Sequence, residues 1–290
     1  MKSKMLRVMI IVLTLGFAGH VSAKPFSIFE IQFTTEVDGT SPENGNIIDC
    51  FGGIVTHKRP GNRPRLVIQD THAQSWNAVQ VKGWISDAFD SVNVGDWIYL
   101  SNIQVEEYKG TTFLQYKSEN NADLTIISTN NPLPKPLVVS IDEIAAPVES
   151  VDSWAVTDHS TEKYESMLIR IVDVYVQDTG YGKAYDNYLL TSNIDPNFTC
   201  WASDYMNNDK DSGQIYHPLV EIDQNFCGVT GILEQYNAES DGIYYDYYQL
   251  LTTETTSFIF AQIADLDSDC DVDFEDFCIF MDSWMAFEGR

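Results

Sequence analysis

Two sets of short apolar runs with strand-like alternation constrain the fold of this chain more than any other feature. In a strand, successive side chains point to opposite faces, so apolar residues recur at every second position. Turn signals such as Lys109-Gly110 separate the runs, and no long amphipathic helical run interrupts either set. The runs span residues 47–55, 66–68, 78–81, 97–105 and 111–116, then 167–176, 185–191, 198–202, 228–234 and 243–251. The chain is therefore predicted to be mainly β.

A proline-rich segment divides the two sets of strands. Three prolines fall within five positions at 132–136, and such a stretch is stiff and extended. The chain has 290 residues, which is compatible with two domains of ordinary size. We predict these boundaries: a signal peptide at 1–23, a first domain at 24–129, a linker at 130–140, a second domain at 141–259 and a tail at 260–290.

Each set of five strands has the outline of a small Greek-key barrel. The first run of each set is long, the last two form a hairpin, and Gly52-Gly53 would permit a bulge in the first strand. The OB-fold is the commonest architecture with this outline. We therefore predict two OB-like five-stranded barrels plus a short C-terminal calcium loop-helix.

Two segments resemble known families. The stretch 95–114, with Gly95-Asp96-Trp97 at its start, resembles the fourth and fifth strands of OB-like domains in secreted bacterial proteins. Pro134-Lys135-Pro136 followed by residues 164–169 resembles a segment of extracellular nucleases, in which tandem OB-like domains precede a nuclease domain. The resemblance covers residues 26–253 and implies the fold. The nuclease domain is absent here, so nuclease activity is not expected.

The N-terminus has the pattern of a secretory signal. Three cations within residues 2–7 precede an apolar run at 8–18 and a small-residue cleavage site at 21–23. The apolar run is shorter than the ~20 residues that a membrane-spanning helix needs. We expect cleavage before Lys24, no membrane span after it, and a protein that is secreted or held at the cell surface.

Secretion would permit disulfides. The chain has five cysteines, an odd number, so at least one thiol would stay unpaired within the chain. Cys200 and Cys227 both fall in strand-like segments of the second domain and are the first pair to test. The connectivity is otherwise open.

An acidic loop near the C-terminus has the spacing of a calcium site. Oxygen ligands at loop positions 1, 3, 5, 7, 9 and 12 suit a hard cation. Seven acids within the twelve residues 265–276 repel one another unless a cation lies among them. Cys270 stands at position 6, where glycine is usual. The predicted ligands of Ca²⁺ are Asp265, Asp267, Asp269, Asp271, Asp273 and Asp276.

This tail resembles half of a type I dockerin. The core of the match is Asp-Leu-Asp-Ser-Asp-Cys-Asp-Val-Asp-Phe-Glu-Asp-Phe at 265–277, within residues 263–285, and an apolar helix follows the loop. The resemblance implies calcium binding and a link to extracellular polysaccharide degradation or surface attachment. Dockerins carry two such units and only one is found here, so docking of the cellulosomal kind is not implied. The alternative is a solvated acidic tail.

Composition and motifs narrow the function classes. The formal charge is −26. This charge argues against nucleic acid as a partner, because proteins bind its phosphates through clusters of Lys and Arg. The sequence contains no G-x-S-x-G, H-E-x-x-H or phosphate-loop motif. We therefore expect no enzymatic activity, and a protein or glycan partner at the cell surface.

Two groups of residues are candidates for a ligand surface. Alternation places Tyr245 and Tyr247 on one face of the last strand, where they could stack on a ligand. A basic cluster in the turn between the first two strands consists of Lys58, Arg59, Arg63 and Arg65. The main hypothesis is a secreted, non-catalytic binding or attachment protein with a calcium-binding tail. The alternatives are a nucleic-acid-binding OB-fold accessory protein of an extracellular nuclease system, and a hydrolase of unknown type.

Overall fold

The computed structural model describes residues 24–59, 61–71, 75–84, 86–181, 187–207, 220–252, 257–260, 264–266, 272 and 274–288. The predicted signal peptide at 1–23 lies outside the described residues. So do four predicted calcium ligands, Asp267, Asp269, Asp271 and Asp273. Within the described part, strands predominate, as predicted.

The first barrel is built from five strands, each within a few residues of a predicted run. They are β1 (Ile47–Arg59), β2 (Arg65–Gln69), β3 (Ala78–Lys82), β4 (Trp97–Tyr108) and β5 (Thr111–Gln115). The strand order is β1-β2-β3-β5-β4, and β4 pairs with β1 to close the barrel. The β3–β5 pairing is parallel, whereas the others are antiparallel. This closed order is that of an OB-fold.

A bulge in β1 allows this strand to pair with both β4 and β2. The register with β4 shifts between Cys50 and Gly53, and β1 pairs with β2 beyond this point. Gly52 has a φ of +70°, and a Cβ there would lie 1.6 Å from the carbonyl oxygen of Ile98. Only glycine fits this close approach, so Gly52 permits the bulge that was predicted for the first strand.

The chain between the barrels is partly extended. It contains β6 (Asp123–Ser128), β7 (Leu137–Ser140), β8 (Val148–Glu149) and β9 (Ser153–Ala155). Strand β6 pairs with β4 of the first barrel. Strand β7 lies inside the predicted linker at 130–140 and pairs in parallel with the first strand of the second barrel. The proline-rich segment is thus anchored to the second sheet at its C-terminal end.

The second barrel repeats the topology of the first. Its strands are β10 (Leu168–Tyr181), β11 (Asn187–Ser192), β12 (Thr199–Ser203), β13 (Asn225–Ser240) and β14 (Ile243–Thr252), and β15 (Phe258–Ile259) pairs with β13. The order is β10-β11-β12-β14-β13, closed by β10–β13, with β12 and β14 parallel. The predicted fold class, two OB-like barrels, is confirmed by this repeated strand order.

In the described parts of the chain, three α-helices accompany the barrels. They are α1 (Ile28–Gln32), α2 (Asp87–Ser91) and α3 (Phe274–Glu288). A capping box between Ser27 and Glu30 starts α1. Phe89 of α2 is fully buried in the core of the first barrel. The predicted short C-terminal helix is present as α3. No helix in the described ranges is long and apolar enough to cross a membrane.

The two barrels contact each other through their outer faces. Val67 of β2 packs with residues of the second barrel in a small buried cluster that includes Ile232 and Leu251. Next to this cluster, Arg65 forms an ion pair of 2.8 Å with Glu234. The backbone N–H of Leu168 donates to Gln69 Oε1 at 2.9 Å.

Cys200 and Cys227, the first pair to test, are not joined by a disulfide. Cys200 is a free thiol that points into the core of the second barrel, whereas Cys227 is disulfide-bonded. The physical reason is that β12 and β13 are not neighbours in the barrel, because β12 pairs with β11 and β14. Burial raises the pKa of the Cys200 thiol to about 12. Cys50 and Cys278 are also free.

Candidate functional site

Cations and aromatic rings gather in one cavity on the side of the first barrel that faces β12. The cavity has a volume of about 640 Å³. Its cations are Arg63, Arg65, Lys82 and Lys117, and its aromatic residues are Trp84, Tyr108, Tyr116 and Tyr205. We call this cavity the basic-aromatic groove. Tyr205 follows β12, so the second barrel completes one wall.

The sequence identified half of these cations. Arg63 lies in the turn between β1 and β2, and Arg65 begins β2, as the predicted basic cluster requires. Lys82 at the end of β3 and Lys117 after β5 were missed. The parallel pairing of β3 with β5, with Lys82 opposite Gln115, brings these two lysines together. Strand order was therefore the signal that could have found them.

The other two predicted cations have structural contacts. Lys58 donates its Nζ to the carbonyl oxygens of Asp90 and Val92, at 3.1 and 2.8 Å, at the end of α2. Arg59 is largely buried, and its guanidinium lies 4.4 Å from the centre of the Tyr205 ring. Arg59 thus supports the groove wall, whereas Lys58 lies outside the groove.

Each groove cation of the β1–β3 segment is stacked on a ring. The Arg63 guanidinium lies 4.7 Å from the centre of Trp84. The Arg65 guanidinium lies 4.8 Å from Tyr205, and Lys82 Nζ lies 4.0 Å from Tyr108. Such cation–π contacts hold the positive groups in fixed positions beside the rings. The groove therefore offers charge and flat apolar surface side by side.

The groove is positive although the chain is strongly acidic. Among the described residues, its lining includes four cations and two carboxylates, those of Glu106 and Glu119. The Glu106 carboxylate lies 3.8 Å from Lys117 Nζ. Burial is the main cause that lowers the pKa of Lys82 to about 8; the charge of Glu106 opposes this shift and that of Arg65 adds to it. An anion bound here would favour the charged form of Lys82.

A second cavity lies between the barrels and opens from the groove. It has a volume of about 360 Å³ and shares Arg65, Tyr108 and Tyr205 with the groove. The residues specific to it include Lys109, Asn187, Glu234, Tyr236, Tyr247 and Gln249. We call it the inter-barrel pocket. The Arg65–Glu234 ion pair fixes the position of the pocket relative to the groove.

The two predicted tyrosines share a face of β14, and only one of them lines a cavity. Tyr247 lies 5.6 Å from the Tyr236 ring and 5.0 Å from the Trp154 ring, measured between centroids. Tyr245 packs on the far side of Trp154, at 6.3 Å. Tyr247 therefore belongs to the wall of the inter-barrel pocket, and Tyr245 extends the aromatic cluster away from it.

The described ends of the acidic loop lie close to each other. Asp276, at the start of α3, is buried, and its Oδ1 accepts a hydrogen bond from the backbone N–H of Leu266. Asp265 Oδ2 lies 3.3 Å from the Sγ of Cys227. The described parts of the first and twelfth predicted ligands thus lie near each other, and the oxygen donors of the predicted set suit Ca²⁺. Among the described residues alone, no group of three or more potential metal ligands occurs.

Comparisons with known proteins reveal distant likenesses of fold. No protein-family model matches the chain, and no curated protein matches it. Among solved structures, an OB domain from Methanosarcina mazei is 16% identical, covering 32% of this chain and 80% of that chain with a TM-score of 0.26. The Ifi202 HINa domain in complex with 20-bp dsDNA is 11% identical, covering 72% and 97% with a TM-score of 0.33. A murine DNA-binding protein bound to dsDNA is 8% identical, covering 71% and 96% with a TM-score of 0.32. These values assign no ligand to this chain, and the fold rests on the strand order.

The expectation that nucleic acid is an unlikely partner is wrong. The expectation rested on the net charge of the whole chain, and complexes with dsDNA are among the distant likenesses of fold reported above. The charge is distributed unevenly in the structure, because cations of two strands and two connecting segments converge on one groove. Screening limits the reach of the surrounding acids to about 8–10 Å at physiological salt. Net charge therefore does not exclude a phosphate-bearing ligand.

Proposed function

We propose that the chain is a non-enzymatic binding protein that holds a single strand of nucleic acid in the basic-aromatic groove. The observation that carries this proposal is the alternation of cations and rings along one groove. Proteins that bind single strands combine a positive track for the backbone with rings on which bases stack. Trp84 and Tyr108 are 64% and 48% exposed, so part of each ring is open to contact with a base beside the cation that it already contacts.

The acidic remainder of the surface would confine the strand to the groove. The 43 Asp and Glu residues exceed the 17 Lys and Arg residues, so a phosphate backbone is repelled wherever cations are sparse. We therefore expect weak binding that is confined to the groove and whose affinity depends strongly on the salt concentration.

A charge-reversal experiment tests the proposal. Arg63→Glu with Lys117→Glu should weaken binding of a labelled single strand of about 12 nucleotides by at least about tenfold, measured by fluorescence anisotropy. The matched control is Lys135→Glu with Lys163→Glu, which changes the net charge equally at positions outside the groove. Equal losses in both double variants, or no binding by the unaltered protein, would reject the groove as the site.

The salt dependence supplies a second readout. Each phosphate contact to a single strand contributes about 0.7 to the slope of log K against log salt concentration. Loss of Arg63 and Lys117 should therefore reduce the slope by about 1.4. The control double variant should keep the slope of the unaltered protein.

We further propose that the acidic loop binds Ca²⁺ and that α3 is ordered by it, because metal binding and loop folding are linked. Asp265 and Asp276, together with the four aspartates between them, would hold the ion. Ca²⁺ should raise the thermal unfolding temperature, and Asp267→Asn with Asp269→Asn should abolish that rise. The control, Asp142→Asn with Glu149→Gln, removes two exposed carboxylates elsewhere. A response that survives in the loop variant would contradict this assignment.

Secretion also remains a proposal. It is supported by the n-region, apolar run and cleavage site at residues 2–23. N-terminal sequencing of the exported protein should begin at Lys24. Recovery of the chain only inside the cell, with residues 1–23 retained, would contradict it. The link to polysaccharide degradation stays a prediction of the dockerin resemblance.

A further inference from the structure

We propose that the inter-barrel pocket takes one unpaired nucleobase of the strand bound in the basic-aromatic groove, stacked against Tyr236. This inference rests on the proposed function and assigns a base-binding role to the second barrel. Pockets of roughly 300–1,000 Å³ are typical of small-molecule sites, and the pocket of about 360 Å³ falls within that range.

Continuity between the two cavities supports one ligand for both. Arg65, Tyr108 and Tyr205 line both cavities, so a strand in the groove passes the mouth of the pocket. At this mouth Lys109 is exposed, and its Nζ lies 4.5 Å from the centre of the Tyr236 ring. Lys109 is thus placed to contact a phosphate while the adjacent base enters the pocket.

The charges of the pocket differ from those of the groove. The pocket contains the Glu234 carboxylate, whose Oε2 already accepts from Arg65 at 2.8 Å and Gln80 at 3.0 Å. Its Oε1 has a long contact of 3.4 Å from Gln249. A buried carboxylate repels phosphate but accepts hydrogen bonds from N–H groups. The pocket therefore favours the uncharged, N–H-bearing part of a nucleotide.

An unused acceptor points to the same ligand class. Asn187 lines the pocket, and its buried Oδ1 has no hydrogen-bond partner within the described part of the chain. A buried polar atom without a partner destabilises the fold, because it has lost its hydrogen bonds to water. An amino or ring N–H group of a base would satisfy it, which pairs a polar contact with the stacking surface of Tyr236.

The first test compares an intact single strand with strands that carry one abasic position each. For the unaltered protein, one abasic position should cost about tenfold or more in affinity, because stacking of a base contributes about 1–3 kcal/mol. Tyr236→Ala should remove this positional effect, and Tyr236→Phe should retain it because the ring remains. Tyr244→Ala is the control, since Tyr244 is an exposed tyrosine of β14 outside the pocket.

The second test uses 2-aminopurine, a fluorescent base, at the sensitive position. Its emission should be quenched on binding to the unaltered protein but not to Tyr236→Ala. If Tyr236→Ala does not fold, Asn187→Leu serves in its place and should reduce discrimination among bases at that position alone. An equal response to abasic sites at all positions, or quenching that survives in Tyr236→Ala, overturns the inference while leaving the groove intact. If Arg63→Glu with Lys117→Glu binds the single strand as tightly as the unaltered protein does, the proposed function itself is rejected.

Discussion

Lys82 shows how the tertiary environment changes the chemistry of a single residue. Its Nζ lies 4.0 Å from the ring centres of both Tyr108 and Phe113. Removal from water disfavours its charged form, and this is the main reason why its pKa falls to about 8. A lysine in the groove thus titrates close to the pH range in which the protein would bind phosphate.

This environment predicts a pH-dependent affinity. Because the charge of Lys82 is lost as the pH rises through about 8, affinity for a single strand should fall between about pH 7 and pH 9. Lys82→Arg should flatten the profile, since an arginine stays charged over that range. Anisotropy titrations at constant ionic strength measure both profiles. Parallel profiles for the two proteins would show that another group is responsible.

Among the elements, strands were predicted well where the alternation is local. All ten predicted runs are strands of the two barrels, although β13 begins earlier and ends later than its run. Strands β6 and β7 were missed, because each adds to the edge of a sheet that exists only after the barrels form. Short edge strands bury few side chains, so their sequences show little alternation of apolar and polar residues.

The bulge in β1 predicts different costs for two glycine substitutions. Gly52 and Gly45 both have positive φ, of +70° and +88°, but only Gly52 lacks space for a Cβ. Gly45→Ala should cost about 1 kcal/mol of unfolding free energy from backbone strain alone. Gly52→Ala should cost at least about 2 kcal/mol more, because the clash with the Ile98 carbonyl must be relieved. Urea unfolding measures both, and equal costs would argue against the bulge.

In the whole molecule, the contact between barrels contains buried carboxyl groups. Glu165, just before β10, accepts hydrogen bonds from Gln32 Nε2 at 3.2 Å and from the backbone N–H of Thr112 at 3.1 Å, both in the first barrel. Burial raises the pKa of Glu165 well above its usual value, and the negative charges of Glu162 and Glu107 raise it further. The barrels are therefore joined through a carboxyl that favours its protonated form.

This contact predicts that stability falls as the pH rises. The folded chain retains a proton on Glu165 at pH values where the unfolded chain has lost it, so unfolding becomes easier by up to about 1.4 kcal/mol per pH unit. The contribution of Glu165 to stability is fully present at acidic pH, below the pKa of this carboxyl in the unfolded chain. It is lost as the pH rises through the raised pKa of the folded chain. Glu165→Gln should reduce the slope between about pH 5 and pH 8, as measured by denaturant unfolding. Glu239→Gln, an exposed control, should leave it unchanged.

The candidate site could be predicted only in part. The cluster of Arg63 and Arg65 is visible because the two residues are close in sequence, and the tyrosines of β14 are visible because they alternate. Lys82, Lys117 and Tyr205 carry no such signal. Each of them is an ordinary polar or aromatic residue at the end of a strand, and its role depends on which strand lies beside it.

The strand positions, the β class and the spacing of the acidic loop could be predicted from the amino-acid sequence, because alternation and ligand spacing are local properties of the chain. Where the positive charge is concentrated depends instead on how the strands pair. Closure of the first barrel joins Lys82 to Lys117 through the β3–β5 pairing, and contact between the barrels adds Tyr205 and the inter-barrel pocket. Net charge is a sum over the chain, whereas an electrostatic site depends on distances that only folding sets.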